Sequence, residues 1–261
     1  MFKSNSTKGV EFMTAPNIGT IHGFTTRYGG ASAGIYESMN LGQSIGDDND
    51  NVKENFARLR SALGLPLNCF VCTKQVHGKQ VSIVTQAGGT EPPTPPESET
   101  DALITNVPGV ALVIFVADCV PILLFDDELA VVAAVHAGWR GTALNISGTA
   151  VSKMAETYGC SPGNIKAAIG PSISQCCYET DIDVADAMRS VLGSDAELCI
   201  KPAGEKYMID LKEANRLLLL KAGVTNISIS DECTSCSSQK YWSHRKTKGQ
   251  RGSQGAVIAL K

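Results

Sequence analysis

Between residues 110 and 142 the chain reads VALVIFVADCVPILLFDDELAVVAAVHAGWRGT, three short apolar runs separated by brief polar breaks. The runs at 111–116, 122–125 and 131–135 lack the alternation of a half-solvated strand, so each is expected to be a β-strand covered on both faces. Both breaks carry chemistry. Asp118 and Cys119 follow the first run, just before Pro121, and His136 ends the third run and opens the small-residue turn AGWRGT. A thiol and an imidazole at the ends of neighbouring buried strands are expected to meet in space although they are distant in sequence.

The rest of the pattern places elements around this centre. HGFTTRYGG and ESMNLG read as a strand followed by a tight glycine-rich loop. Asp50 or Asn51 is expected to cap a helix over 51–64, with Val52, Phe56, Leu59 and Leu63 on one face and Gly64 ending it. Strand-like stretches follow at 68–76, 81–84 and 101–105. Between the last two, QAGGTEPPTPPESET (86–100) is too rich in proline to form a regular element and is expected to be a mobile loop inside one domain. The segment 142–159 reads as one helix closed by Gly159, and its start at 138–142 offers free backbone N–H groups to an anion. Beyond it come a strand at Lys166–Ile169, a helix at 183–192, a strand at 206–210 and a helix at 211–223 closed by Gly223. Strands at 226–230 and 256–260 complete the pattern. Several strands follow one another with no helix between, which favours an α+β fold with mixed sheets over a doubly wound one. The whole of residues 1–261 reads as a single domain.

Composition narrows the classes of function. An apolar fraction of 43% and a charged fraction of 19% fit a globular protein with a large core. A net charge of −3 offers no electrostatic case for nucleic acid or an anionic membrane. The N-terminal segment has no apolar signal core and no run reaches the roughly 20 residues of a membrane span, so a cytoplasmic protein is expected. Nine cysteines in such a chain argue against a disulfide framework.

Three residues at strand ends stand out as metal ligands: His77, before Gly78; Cys119, in its apolar-flanked turn; and His136. Two imidazoles and a thiolate suit a tetrahedral Zn²⁺ that keeps its fourth position for water or substrate, with Asp118 orienting a ligand or acting as general base. The same atoms also read as a cysteine hydrolase, Cys119 the nucleophile, His136 the base and Asp118 the third member. His77 separates the two, because only the metal site needs it. Two Cys-x-x-Cys pairs, Cys69/Cys72 and Cys233/Cys236, have zinc-knuckle spacing but lie far apart in the chain. Cys69 and Cys72 fall in a strand-like run whose alternation would point them to opposite faces, so all four are read as ordinary buried thiols. Arg27 beside Gly29-Gly30, and the basic loop Trp242-Ser-His244-Arg245-Lys246 with Arg251, could each bind an anion or be solvated turns.

Taken together, the motifs TTRYGG, SMNLGQSIGDD, KQVHG, DALITNVPG, VADCVPILLFD, AAVHAGWRGT, IGPSIS, CYE, LKEANRLLLLKAGV and SHRK resemble the laccase-domain, or multi-copper polyphenol oxidase, family of YfiH-like proteins. The resemblance spans nearly the whole chain. It implies a layered α/β/β/α architecture with mixed sheets, similar to the cysteine-hydrolase domain of a bacterial cytotoxic necrotising factor. It carries metal-ligand roles onto His77, Cys119 and His136, and catalytic roles onto Cys119, Asp118 and His136. It further implies purine nucleoside phosphorylase activity on adenosine, inosine, guanosine or methylthioadenosine, with adenosine deaminase activity, so purine nucleosides and phosphate are the expected partners. Arg27, Asn40, Gln75, Arg245 and Arg251 are its candidates for substrate or phosphate binding. A peptidoglycan-editing role keeps the hydrolase of cell-wall precursor amides as an alternative. Copper oxidase chemistry fits less well, since one cysteine and two histidines do not make a multi-copper cluster; one Zn²⁺ per chain is the expectation. Two departures stand out. Phe56 follows Asn55 where the family usually has arginine, and the C-terminal loop reads His244-Arg245-Lys246 and then Gly249-Gln250-Arg251.

Overall fold

The three central apolar runs are strands in the computed structural model, which describes residues 1–43 and 45–261. Ser44, inside the SMNLGQSIGDD motif, lies outside the described residues. The chain opens with β1 (Lys3–Thr7), β2 (Val10–Thr14) and β3 (Ile21–Thr25), then α1 (Asn49–Leu63). Next come β4 (Phe70–Cys72), β5 (Val81–Ile83), β6 (Ala102–Thr105), β7 (Ala111–Val116), β8 (Val120–Asp126) and β9 (Val131–Ala137). Helices α2 (Trp139–Ala143) and α3 (Ile146–Tyr158) lead to β10 (Lys166–Ile169), β11 (Glu179–Thr180) and α4 (Ile182–Leu192). The remainder is β12 (Ile200–Ala203), β13 (Lys206–Ile209), α5 (Leu211–Lys221), β14 (Asn226–Ile229), α6 (His244–Thr247) and β15 (Gln254–Ala259).

Two six-stranded sheets, ordered β1-β2-β3-β15-β7-β4 and β14-β10-β8-β9-β6-β5, stack face to face. Both are mixed: β4–β7, β5–β6 and β10–β14 pair in parallel, and the other neighbours are antiparallel. Strand alternation divides the core into layers. In β8, Ile122 and Leu124 face the helices, whereas Leu123 and Phe125 face the other sheet. In β7, Leu112 and Ile114 meet the second sheet while Ala111 and Val113 pack under α1. The architecture is therefore helix, sheet, sheet, helices, an α+β fold as expected. Covered on both faces, β8 and β9 are buried at every residue, which is why their sequence shows no polar period.

Several local expectations are revised. Asp48, rather than Asp50 or Asn51, caps α1, its carboxylate accepting from the Asp50 N–H at 2.8 Å, and Gly64 ends the helix with φ 68°. The expected helix over 142–159 is two helices, because Asn145 turns left-handed (φ 58°) and caps the second through the Gly148 N–H. The expected strand at 68–76 keeps only Phe70–Cys72, and Cys69 and Cys72 both pack beneath α1 instead of on opposite faces. The β1–β2 hairpin, turned at Lys8-Gly9, went unread because β1 is polar and mostly exposed. The proline-rich segment holds no strand or helix; Arg60 grips Glu91 at 2.8 Å, and Gln43 donates to the Pro93 carbonyl at 2.9 Å.

Candidate metal centre

The antiparallel β8–β9 pair places Pro121 opposite His136, so Cys119, just before β8, arrives beside the end of β9. His136 shares its parity with Val132 and Ala134, which puts its ring on the face between the sheets. His77, in the loop after β4, closes the group. The donor atoms of His77, Cys119 and His136 all lie within 4.8 Å of one another. The two imidazole rings stand edge to face, 4.8 Å apart between centroids. His77 Nε2 is 3.8 Å from Cys119 Sγ, near the roughly 3.5 Å edge that Zn–N and Zn–S bonds of ordinary length would set in a tetrahedron. The donor set and its spacing fit a zinc ion, and the half-buried position of Cys119 leaves a side open toward a cleft.

Backbone strain makes this convergence possible. His77 (φ 62°) and Asp118 (φ 85°) are non-glycine residues in the left-handed region, a cost found where function needs it. Gly138 must be glycine, because a Cβ there would lie 2.6 Å from His77 Cδ2 and 3.2 Å from Cys119 Sγ.

The residue the sequence reading missed is Asp101. It is fully buried at the start of β6, and its Oδ1 accepts from His136 Nδ1 at 2.8 Å. It also accepts the backbone N–H groups of His77 at 3.0 Å and Gly78 at 2.8 Å. One carboxylate thus holds two of the three ligands and leaves His136 Nε2 as the free donor, the usual arrangement behind a metal-bound histidine. Burial opposes its charge, but His136 and these N–H donors outweigh burial and keep the carboxyl below its ordinary pKa. The signal was present in DALIT, where an acidic residue opens an apolar strand.

The orienting position expected of Asp118 is therefore filled by Asp101. Asp118 instead accepts from Thr234 Oγ1 and from the Arg245 backbone N–H, both at 2.6 Å, and lines the cleft. Without a metal, Cys119 and His136 form a charged pair. Burial raises the thiol, but the facing histidines outweigh it and bring Cys119 down to about 6. Burial likewise opposes the imidazolium, yet Cys119 and Asp101 raise His136 to about 9.

The cleft holds about 330 Å³, at the small end of small-molecule sites. Trp139 and Tyr178 give it aromatic surface, and Arg140, Arg245 and Arg251 give it positive charge. Arg245 donates to the carbonyls of Cys177 and Glu179, and Arg251 to the Gly252 carbonyl and to Ser253 Oγ. All these acceptors are neutral, and among the described residues none of the three arginines has an ion-pair partner. Arg140 was not among the sequence candidates.

Three sequence candidates lie outside this cleft. Arg27 stacks on Trp242 at 3.9 Å and donates to the carbonyls of Glu37 and Ser238. Asn40, fully buried, accepts from the N–H groups of Gly42 and Ser253 and so ties two loops together. Gln75 pairs with the Phe115 backbone through both ends of its amide, extending the sheet edge. The cysteine pairs also part company. Cys233 and Cys236 do not approach Cys69 and Cys72; they meet Cys176 and Cys177, the four sulfurs lying within 4.8 Å of one another.

Comparison with known proteins gives this geometry its relatives. Residues 21–261 match the family described as multi-copper polyphenol oxidoreductase laccase. A purine nucleoside phosphorylase of Deinococcus radiodurans is 42% identical over 97% of this chain and 94% of its own length. An adenosine deaminase, RL5, from an unknown prokaryote is 33% identical over 89% of this chain and 91% of its own length. The crystal structure of YlmD from Geobacillus stearothermophilus superposes with a TM-score of 0.92 at 38% identity, covering 100% of this chain and 98% of that one.

Proposed function

The chain belongs to the multi-copper polyphenol oxidoreductase laccase family, and from that premise we propose that it is a zinc-dependent purine nucleoside phosphorylase that also deaminates adenosine. The observation that carries this reading is the pairing of one open three-donor site with a cleft whose three arginines, among the described residues, make no ion pair. Phosphate is the co-substrate such a rim suits, through charge-assisted hydrogen bonds. The relatives' names support a purine nucleoside as the other substrate, and adenosine for the deamination; inosine, guanosine and methylthioadenosine are further substrates of the proposal. Zinc, one per chain at this site, is favoured over copper by the donor set, because a chain with four histidines cannot build the clusters that four-electron oxidase chemistry requires.

His77, Cys119 and His136 would hold the zinc, which would supply Lewis-acid chemistry at the mouth of the cleft. The remaining work falls to the chain. Asp101 fixes the tautomer and orientation of His136. Trp139 and Tyr178 offer their rings to the purine and exclude water from it. In phosphorolysis Arg245 and Arg251 hold phosphate so that its oxygen bonds to C1′ as the C1′–N bond breaks, the purine leaving with the electron pair and taking up a proton. Asp118, at the floor of the cleft, is the proton carrier of the proposal, and Thr234 and the Arg245 N–H hold its carboxylate in place.

A second reading has an observation of its own. Cys119, His136 and Asp101 are ordered as nucleophile, base and orienter, so a metal-free chain could act as a cysteine hydrolase on an amide. One experiment separates the two. Zinc content and phosphate-dependent release of base from adenosine and inosine are measured for wild type and Cys119→Ala. The expected result is loss of zinc from this site together with loss of base release. A metal-free wild type that still releases base would sink the zinc dependence, and one that releases no base but cleaves an amide until Cys119 is alkylated would replace the phosphorylase with the hydrolase.

A further inference from the structure

The four sulfurs of Cys176, Cys177, Cys233 and Cys236 lie outside the cleft and have no part in the chemistry above. Neighbouring sulfurs are separated by 3.8 Å (Cys176–Cys177), 3.6 Å (Cys176–Cys236) and 3.4 Å (Cys177–Cys236). A tetrahedral zinc with four Zn–S bonds of ordinary length has an edge of about 3.8 Å, whereas a disulfide holds its sulfurs at about 2.05 Å. Two turns aim the four side chains at one point. After β10 the backbone folds so that the Cys177 and Tyr178 N–H groups both reach the Ser174 carbonyl, turning Cys176 and Cys177 the same way. After β14 the Cys-x-x-Cys turn closes with the Ser237 N–H on the Cys233 carbonyl. A bridge between Ser172 and Cys233, with the Thr234 N–H on the Ser172 carbonyl at 3.1 Å, locks the turns together. The Ser174 N–H points at Cys233 Sγ from 3.4 Å, a donor that suits a thiolate.

An independent observation comes from Lys212. It is only 5% exposed, yet its ammonium donates to Ser174 Oγ (3.0 Å) and to the carbonyls of Ser230 (2.9 Å) and Glu232 (2.7 Å), all neutral. Among the described residues it makes no ion pair. A lysine is almost never buried without a counter-charge. The loops that supply its acceptors also supply the sulfurs, and four thiolates around a divalent cation leave a net charge of 2−.

We propose that Cys176, Cys177, Cys233 and Cys236 bind a second zinc ion as a closed tetrathiolate, with Lys212 as its buried electrostatic complement. With four protein sulfurs and no position left for water, the site is structural. It pins the outer wall of the cleft. Tyr178 follows Cys177, Arg245 donates to the Cys177 carbonyl, and Thr234, between the two ligands of the turn, grips Asp118.

Zinc in purified full-length protein tests this. About two ions per chain are expected in wild type, falling to about one in Cys119→Ala and in Cys236→Ser alike. Because Cys236→Ser could also impair folding, a second measurement leaves the four cysteines intact. Metal-free Cys119→Ala is titrated with Co²⁺, and an intense sulfur-to-cobalt charge-transfer band saturating at one equivalent is expected. A wild type whose zinc all disappears in Cys119→Ala, with no such cobalt band, overturns the proposal. So does a peptide map of anaerobically purified protein that shows Cys177 and Cys236 joined as a disulfide. If wild type and Cys119→Ala hold the same single zinc and Cys236→Ser holds none, the tetrathiolate stands and the zinc-dependent phosphorylase falls.

Discussion

The two groups of soft donors sit on opposite sides of one wall and are built differently. At the cleft, two imidazoles and one cysteine sulfur converge from the loop after β4 and the facing ends of β8 and β9, one carboxylate orients them, and a side is left open. Behind the wall, four cysteine sulfurs come from two turns, and a buried lysine stands nearby. Three mixed donors with a vacancy permit chemistry; four sulfurs without one permit only cohesion. The wall between them bears Asp118, Tyr178 and Arg245, so the cohesive site sets the geometry that the reactive one uses.

The largest effect that sharpens this contrast is expected at the orienting carboxylate. Asp101→Asn should lower zinc affinity at the cleft, or activity, by roughly 10- to 100-fold, as for other carboxylates behind a metal-bound histidine. Asp118→Asn, at a carboxylate that lines the cleft and is not bonded to a ligand side chain, should leave zinc affinity nearly unchanged while slowing turnover. Competition with a chelator reads both, and equal losses of affinity would erase the distinction.

A smaller effect concerns the thiols once metal is removed. Burial and the neighbouring sulfurs push Cys176 up, whereas Cys119 falls to about 6. For an acid with a lowered pKa the anion is present above that value, so alkylation of Cys119 should rise through about pH 6 instead of the ordinary ~8.5. At pH 7 it should outpace Cys176 by roughly tenfold or more, read by mass spectrometry of the labelled peptides. Labelling of both with one pH profile would break the contrast.

The smallest effect lies at the rim. Arg251→Ala should raise the KM for phosphate by about tenfold, the lower end for a charge-assisted hydrogen bond of about 1.5–3 kcal/mol. The KM for nucleoside should stay nearly constant. Arg27→Ala removes a cation–π contact of about 0.5–1 kcal/mol and should cost stability alone. A change in phosphate KM from Arg27→Ala would mean that the cleft extends farther than its walls indicate.

What could be read in the chain beforehand follows the range of each signal. The buried strands β7, β8 and β9 were legible because covering both faces leaves unbroken apolar runs, with Asp126 and His136 only near the strand ends. The β1–β2 hairpin was not, because a polar edge strand resembles a loop. His77, Cys119 and His136 could be named because scarce, soft side chains beside apolar runs have few other uses, although His77 lies in the loop after β4 and not, as expected, at a strand end. The roles of Asp118 and Asp101 could not be separated, since both stand next to apolar strands and only the register of β6 against β9 shows which one meets His136.

From local period and residue type the sequence by itself determined most of the elements, the α+β class with mixed sheets and a set of candidate ligands, whereas the layered order was implied only by the family resemblance. Tertiary structure alone decided the pairings. It gave His136 to Asp101, withdrew Arg27, Asn40 and Gln75 from the cleft, and joined Cys233 and Cys236 to Cys176 and Cys177 instead of Cys69 and Cys72. Those outcomes depend on strand register and on which loops emerge at the same sheet edge, and neither is written in the spacing of residues along the chain.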